Sequence, residues 1–257
     1  MTISIFPIHA LKDNYIWIII NSSNQTAIIV DPGEAQPVID FLQSKAIKPI
    51  AILITHHHWD HTNGILELAK TYRHIPVYGP DEAIAGLTHK VKEDEQIFID
   101  LFPFALRVLN IPGHTLGHVA YYGKDILFCG DTLFAAGCGR VFEGTTEQMY
   151  ASLNKIKSLP DNTKMYCAHE YTLHNLRFAA TVEPTNETIY SRIQEVSKLR
   201  DQDLPSLPSL LSEEKLTNPF LRCDSLEIIA NAEKHAGRKL NSPIEVFGVI
   251  RKWKDGF

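Results

Sequence analysis

Residues 50–61 read IAILITHHHWDH. The first half, Ile50 to Ile54, is a short continuous apolar run of the kind that forms a buried strand. The second half, Thr55-His56-His57-His58-Trp59-Asp60-His61, sets four imidazoles and one carboxylate directly after that strand. Alternate side chains of extended backbone share a face, so His56 and His58 enter one cleft while His57 points away. Asp60 and His61 come from the next turn and reach a point slightly further on. Neutral imidazole and carboxylate are the ligands that borderline divalent metals prefer, and neither needs a redox change to bind. A metal site at a strand end follows from this stretch.

Three later segments repeat the arrangement. Ile111-Pro112-Gly113-His114-Thr115-Leu116-Gly117-His118 follows a predicted strand, as do Cys129-Gly130-Asp131-Thr132 and Cys167-Ala168-His169-Glu170. Each offers an isolated ligand: His114, Asp131 and His169. Ligands from four strand ends meeting at one edge would make a rigid site with positions open to water. A lone histidine after a strand is usually a surface or core residue. The seven-residue string together with the three ordered elements is not explained that way. His9, His74, His89 and His235 keep the ordinary structural reading, and His57 and His118 are assigned supporting hydrogen bonds.

Around these segments the first two-thirds alternate strand-like and helix-like stretches. Strands are predicted at Ile3 to Ile8, Tyr15 to Ile20, Thr26 to Val30, Ile97 to Leu101, Leu106 to Ile111, Val119 to Tyr122, Ile126 to Cys129 and Lys164 to Cys167. Asp31-Pro32-Gly33 reads as a turn. Helices are predicted at Pro37 to Ala46 and Thr146 to Ser158. This mixture implies two sheets packed between helices, an α+β architecture. After about residue 172 the pattern is helical, with no convincing strand. Thr188 to Leu199 has apolar residues at helical spacing, and a Pro- and Leu-bearing link, LPSLPSLL, spans 204–211. Asp224 with Glu227 and Ser242 with Glu245 have capping-box spacing; Pro243 fits a first helical position and Gly237 a helix end. Residues 1–172 are read as a catalytic domain and 173–257 as a small helical domain.

Composition bounds the function. With 44% hydrophobic and 21% charged residues over 257 positions, the chain can bury a real core. A formal net charge of −5 argues against a nucleic-acid binder with a broad basic face. The four cysteines form no C-x-x-C pair and read as reduced, buried thiols. The opening MTISIFPIHALKDN has no basic leader or cleavage site, and the apolar runs are too short to span a bilayer. A cytoplasmic monomer without membrane or nucleic-acid partner is the expectation.

The THHHWDH string resembles the T-H-x-H-x-D-H signature of the metallo-β-lactamase superfamily. That resemblance implies a four-layer αββα sandwich, the metallo-β-lactamase fold, with the site at one edge. It also implies a pairing: His56, His58 and His114 on one ion, Asp60, His61 and His169 on the other, Asp131 bridging. Further segments are similar to the glyoxalase II family, the hydroxyacylglutathione hydrolases: IFPIHALKDNYIWIII (5–20), Gly137-Cys138-Gly139-Arg140, Phe142-Glu143-Gly144, His169-Glu170-Tyr171-Thr172, Asn218-Pro219-Phe220 and Arg251-Lys252-Trp253-Lys254-Asp255. The similarity runs through nearly the whole chain, including the helical C-terminal part. It implies hydrolysis of S-(2-hydroxyacyl)glutathione thioesters, chiefly S-D-lactoylglutathione, with Arg140, Tyr171, Arg251 and Lys254 binding the glutathione moiety. Phe142 departs from the form with Tyr there, which removes one hydroxyl contact. Glutathione carries two carboxylates, so a site for it wants cationic donors. Arg251 and Lys254 lie three apart on a predicted helix and share a face, although such a pair is also an ordinary solvated helix end.

Two divalent ions, zinc first with iron or manganese as alternatives, would hold a water as hydroxide near neutral pH. Asp60 and Asp131 are the catalytic carboxylates of this reading. A thiolate of pKa about 8.5 leaves without a strong general acid, so neither a Ser-His-Asp set nor Cys138 as nucleophile is required. Among alternatives, a β-lactamase is disfavoured by Asp131, where those zinc enzymes usually have Cys. A lactonase has no need of the basic C-terminal pair. A persulfide dioxygenase uses one iron, and the intact Asp60, His61 and His169 favour two ions.

Overall fold

The computed structural model describes residues 3–257; Met1 and Thr2, where the catalytic-domain reading begins, lie outside the described residues. The chain forms two compact units, the first running to Asn110 and including Gly117–Gly130, the second comprising Ile111–Leu116 and Asp131–Phe257.

In the first unit the strands β1 (Ile3–Ala10), β2 (Asn14–Asn21), β3 (Thr26–Val30), β4 (Lys48–Leu53), β5 (Val77–Gly79) and β6 (His89–Lys90) make one sheet in that order. The first two pairings are antiparallel and the remaining three parallel. β2 and β3 are buried along their whole length, which explains why both read as apolar runs rather than as alternating patterns. Ile16, Ile18 and Ile20 of β2 share a core cluster with Ile29 of β3, Ile52 of β4, and Val38 and Leu42 of the helix α1 (Gln36–Ser44). Each such side chain contributes about 1.5–3 kcal/mol on burial. Two short helices follow β4: α2 (Trp59–Thr62), a single turn inside the histidine string, and α3 (Ile65–Thr71). A second set of strands, β7 (Gln96–Ile97), β8 (Leu106–Asn110), β9 (Val119–Gly123) and β10 (Ile126–Gly130), pairs as an antiparallel meander.

One predicted strand is shorter than its sequence. Ile97 to Leu101 pairs only at Gln96–Ile97, because Phe102 N–H closes a turn onto Ile99 O at 3.0 Å and Leu101 sits at φ 66°. The Leu101 carbonyl is held there by the side-chain amides of Asn21 and Asn24, at 3.0 and 2.9 Å. Side-chain donors thus replace the ladder partner that a longer strand would need.

The second unit holds the hairpin of β11 (Leu133–Phe134) and β12 (Gly137–Cys138), the helix α4 (Thr146–Lys157) and the strand β13 (Lys164–Cys167). Its tail is helical: α5 (Thr172–Val182), α6 (Glu187–Arg200), α7 (Leu211–Thr217), α8 (Leu226–Ala236) and α9 (Pro243–Asp255). α4 begins with a capping box between Thr145 and Gln148. α9 has the predicted N-cap, with Ser242 Oγ accepting Glu245 N–H and Pro243 at the first position, but the Glu245 carboxylate accepts Asn241 N–H and Arg238 instead of closing a capping box on Ser242 N–H. Gly237 ends α8 in the left-handed conformation at φ 66°.

Two further expectations about the tail are corrected. Asp224 and Glu227 form no capping box, since Ser225 is the N-cap of α8 and Glu227 instead accepts Thr185 N–H and Oγ1–H at 3.0 and 2.6 Å. The region after 172 also contains a strand, β14 (Ser209–Leu210), which pairs antiparallel with Lys164 and Met165 of β13. A two-residue strand in a Pro- and Leu-rich link carries no periodic signal, so only the pairing reveals it. Among the described residues no helix is long and apolar enough to cross a membrane.

Candidate metal centre

Thr55 to His61 occupies the turn after β4, and the chain there is pressed against the loop after β3. A Cβ on Gly33 would lie 2.0 Å from the Asp60 carbonyl oxygen, so only glycine permits the approach. Asp31, at the end of β3, is the hub beneath it. One carboxylate oxygen accepts Thr55 N–H at 2.8 Å, and the other accepts Thr55 Oγ1–H at 2.8 Å and His61 Nδ1–H at 3.1 Å.

These bonds settle the state of two rings. Thr55 Oγ1 spends its proton on Asp31, so at 3.0 Å from His56 Nδ1 it acts as the acceptor. His56 Nε2 is therefore a lone pair, and it converges with His58 Nδ1 at 3.1 Å. His61 likewise carries its proton on Nδ1, and its Nε2 lone pair faces Asp60 Oδ2 at 3.5 Å. Binding one ring nitrogen to a carboxylate or hydroxyl so that the other stays basic is how proteins orient metal-ligating histidines. Asn14, at the start of β2, donates its side-chain amide to Asp60 Oδ2 at 3.1 Å and to Asp60 O at 3.4 Å.

The two histidines expected to make supporting hydrogen bonds, His57 and His118, separate as well. His57 turns away and pairs with Glu82 at 3.0 Å, whose other oxygen accepts Gly117 N–H. His118, fully buried, stacks on His56 with centroids 4.6 Å apart and rings 15° from parallel. Asp31 and Asn14 escaped the sequence reading, Asp31 because Asp-Pro-Gly is an ordinary turn signal. The available clue was position: Asp31 ends a strand, as Asp131 does.

The second unit builds a matching set. His114 donates Nδ1–H to Arg140 O at 2.9 Å, so its Nε2 is a lone pair, 3.5 Å from Asp131 Oδ2. The same carboxylate oxygen lies 3.3 Å from His169 Nε2. The backbone is again closely fitted, since a Cβ on Gly139 would lie 1.9 Å from Asp131 O. In both units, therefore, a basic nitrogen and a carboxylate oxygen that repel one another are held 3.5 Å apart, at His61 with Asp60 and at His114 with Asp131. Such a set is stable with a cation among its members, and neutral imidazoles with carboxylates match a divalent transition metal.

A cavity of about 450 Å³ in the second unit is lined by His114, Asp131, Arg140, Tyr171, Arg251 and Lys254, among others. Tyr171 stacks on His169, centroids 4.8 Å apart and rings 5° from parallel. Phe142 places its ring 5.2 Å from His114. Arg140 is the exposed member and pairs with Asp255 at 3.5 Å. Arg251 and Lys254 are both buried, one turn apart on α9. Arg251 donates to Cys138 O at 2.6 Å and to Asp255 at 3.0 Å, over the face of Phe220. Lys254 lies over the rings of Phe178 and Phe257, and burial, with Arg251 close by, lowers its ammonium to about 8. The pair is thus no solvated helix end. Burial pushes the Cys138 thiol up, although Arg251 opposes the shift, and a protonated thiol is a poor nucleophile.

Residues 12–169 match the profile of the "Metallo-beta-lactamase superfamily", and residues 170–257 match that of the "Hydroxyacylglutathione hydrolase C-terminus". Proteins named hydroxyacylglutathione hydrolase are similar over the full length. Those of Nitrosomonas eutropha and Nitrosomonas europaea are 52% and 50% identical, each over 99% of this chain and 99% and 97% of theirs. The chain belongs to the hydroxyacylglutathione hydrolase family. The protein of that name from Aeromonas hydrophila is 49% identical over 98% of this chain and 99% of its own. Among solved structures, ETHE1 from Myxococcus xanthus superposes with a TM-score of 0.67 over 99% of this chain and 98% of its own, at 22% identity. The BLEG-1 B3 metallo-beta-lactamase superposes with a TM-score of 0.62 over 86% of this chain and all of its own, at 23% identity. These likenesses show the metallo-β-lactamase fold, here carrying the C-terminal helical region of the hydroxyacylglutathione hydrolases.

Proposed function

We propose that this protein hydrolyses S-(2-hydroxyacyl)glutathione thioesters, chiefly S-D-lactoylglutathione to D-lactate and glutathione, the second step of methylglyoxal detoxification. The observation that carries the reading is full-length membership of the hydroxyacylglutathione hydrolases together with strand-end histidines whose basic nitrogens are set beside carboxylates. His56, His58 and His114 would hold one ion and Asp60, His61 and His169 the other, with Asp131 serving both. Zinc is the first choice for both positions, with iron or manganese as alternatives; a structural relative of 25% identity is described in a di-iron-bound form. Residues 1–172 form the catalytic domain and 173–257 the substrate-binding one, a division close to the two profile matches. The protein works as a cytoplasmic monomer.

Two bound divalent ions supply a nucleophile from water near neutral pH and polarise the thioester carbonyl. The chain does the rest. Asp31 and Thr55 keep His56 and His61 in the basic tautomer, and Arg140 O does so for His114. Arg140, Arg251 and Lys254 offer positive charge to the glutathione carboxylates, and Tyr171 forms the aromatic wall beside His169. The leaving glutathione thiolate has an ordinary pKa of about 8.5 and needs no protonation in the transition state. The direct test follows the loss of thioester absorbance of S-D-lactoylglutathione with metal-loaded protein; no turnover would overturn the reading.

Lys254 makes the binding pH-dependent. An ammonium lowered to about 8 loses its charge as pH rises through that value, so kcat/KM is expected to fall above about pH 8. Lys254→Arg keeps the charge and should flatten the profile, while Lys254→Ala should raise KM below about pH 8, with the difference from wild type shrinking above it and little change in kcat. A wild-type profile unaffected by Lys254→Arg would show that Lys254 does not meet the substrate. Arg251→Ala should raise KM too, with a lower melting temperature, because its guanidinium also ties down the Cys138 carbonyl.

A further inference from the structure

In the first unit, the one carboxylate among the proposed ligands of the histidine string is carried by no strand. Asp60 lies on the single turn α2, and a turn of four residues holds its side chains weakly. The bracing comes from Asn14, 46 residues earlier, at the start of β2. Asn14 is 7% exposed, and β1 and β2 pair in register from Ala10↔Asn14 onward, so its backbone is fixed. The atoms its amide meets, Asp60 Oδ2 and Asp60 O, are both acceptors, and this settles which end of the amide faces them: the NH2 group.

We infer that Asn14 is a positioning residue for the second metal ion: its amide donates to Asp60 Oδ2 and holds that carboxylate toward His61 Nε2. The inference rests on the dinuclear reading above. A carboxylate free to rotate about its χ angles presents its oxygens to an incoming ion only part of the time. Asn14 restricts that rotation and makes it compatible with the 3.5 Å spacing to His61. Asp31 performs the corresponding service for His61 through Nδ1. Both ligands that the motif would contribute to the second ion are thus held from the β2–β3 region.

The experiment measures zinc affinity by chelator competition, with total metal counted by elemental analysis, on the full chain. Wild type is compared with Asn14→Leu, which keeps the volume without the donor, and with Asn14→Ala, which is smaller and clashes with nothing. The expected result is two ions in wild type, and in both variants an unchanged first affinity with a second affinity weaker by about 10- to 100-fold. Retention of both wild-type affinities in either variant would overturn the role. So would an equal fall at both positions accompanied by a lower melting temperature, the mark of a purely structural residue. A wild-type chain that binds fewer than two ions would overturn the dinuclear reading and this inference with it, and the wild-type measurement alone reveals that case.

Discussion

Asp131→Asn is expected to lower kcat by about two to three orders of magnitude, the scale of losing one preorganised charge-stabilising group in a water-poor site. The carboxylate oxygen Oδ2 stands between two imidazole nitrogens, 3.5 Å from His114 Nε2 and 3.3 Å from His169 Nε2. The amide has nearly the same shape, so packing is preserved and the loss is one of charge. If Asp131 serves both proposed ions, a neutral oxygen there would offset less of their mutual repulsion, and at least one ion would be held less firmly. Steady-state kinetics on metal-saturated protein, with the metal-to-protein ratio measured in parallel, checks this. A kcat within about threefold of wild type would show that Asp131 does not stand between the ions, since such a small change lies far below the expected loss.

Glu214→Ala is expected to destabilise the fold by about 3–5 kcal/mol, because it removes the buried partner of the Arg192 guanidinium and leaves it only the more exposed Glu213, at 3.3 Å. Glu214 is fully buried and takes four donors: Arg192 Nη2 and Ser209 Oγ on one oxygen, both at 2.6 Å, and Ala136 N–H and Asn218 Nδ2 on the other, at 2.7 and 3.0 Å. Arg192, itself buried, also reaches Thr217 Oγ1 and Ser209 Oγ. Ala136 adopts φ 54°, a conformation that a residue with a Cβ holds only when its surroundings impose it. Glu214 is one such constraint, and Asn218 adds two more by donating to Phe134 O and Gly137 O. A melting temperature lower by about 10 °C corresponds to this loss. Thermal unfolding followed by circular dichroism provides the measurement; a shift under about 2 °C would mean that solvent or a neighbour replaces the carboxylate at little cost.

The histidine string showed its chemistry in the sequence because strand periodicity is local. His56 and His58 converge while His57 turns to Glu82, as alternation along the chain requires. The long apolar strands β2 and β3 were legible for the same reason, and so was the Ser242 cap of α9. What stayed hidden depends on tertiary contact. Nothing near Asn14 points to Asp60, because the two meet only when β2 lies beside the turn after β4. The buried Arg192–Glu214 pair looks, in sequence, like two ordinary charges on two helices. Arg251 was found as a residue but not as an environment: helical spacing shows that it shares a face with Lys254, not that the face is covered by Phe220 and Phe178. The strand at Ser209–Leu210 is too short to have a period at all.

The placement of Asp31 makes the centre unevenly tolerant of change. On the proposed dinuclear reading, removing a ligand histidine would delete one contact to one ion. Removing Asp31 would free the Thr55 hydroxyl to rotate, release the proton position of His56, and release that of His61 in the same stroke. A side chain outside the proposed ligand set thus has the wider reach, and errors there would spread to two histidines rather than stay at one.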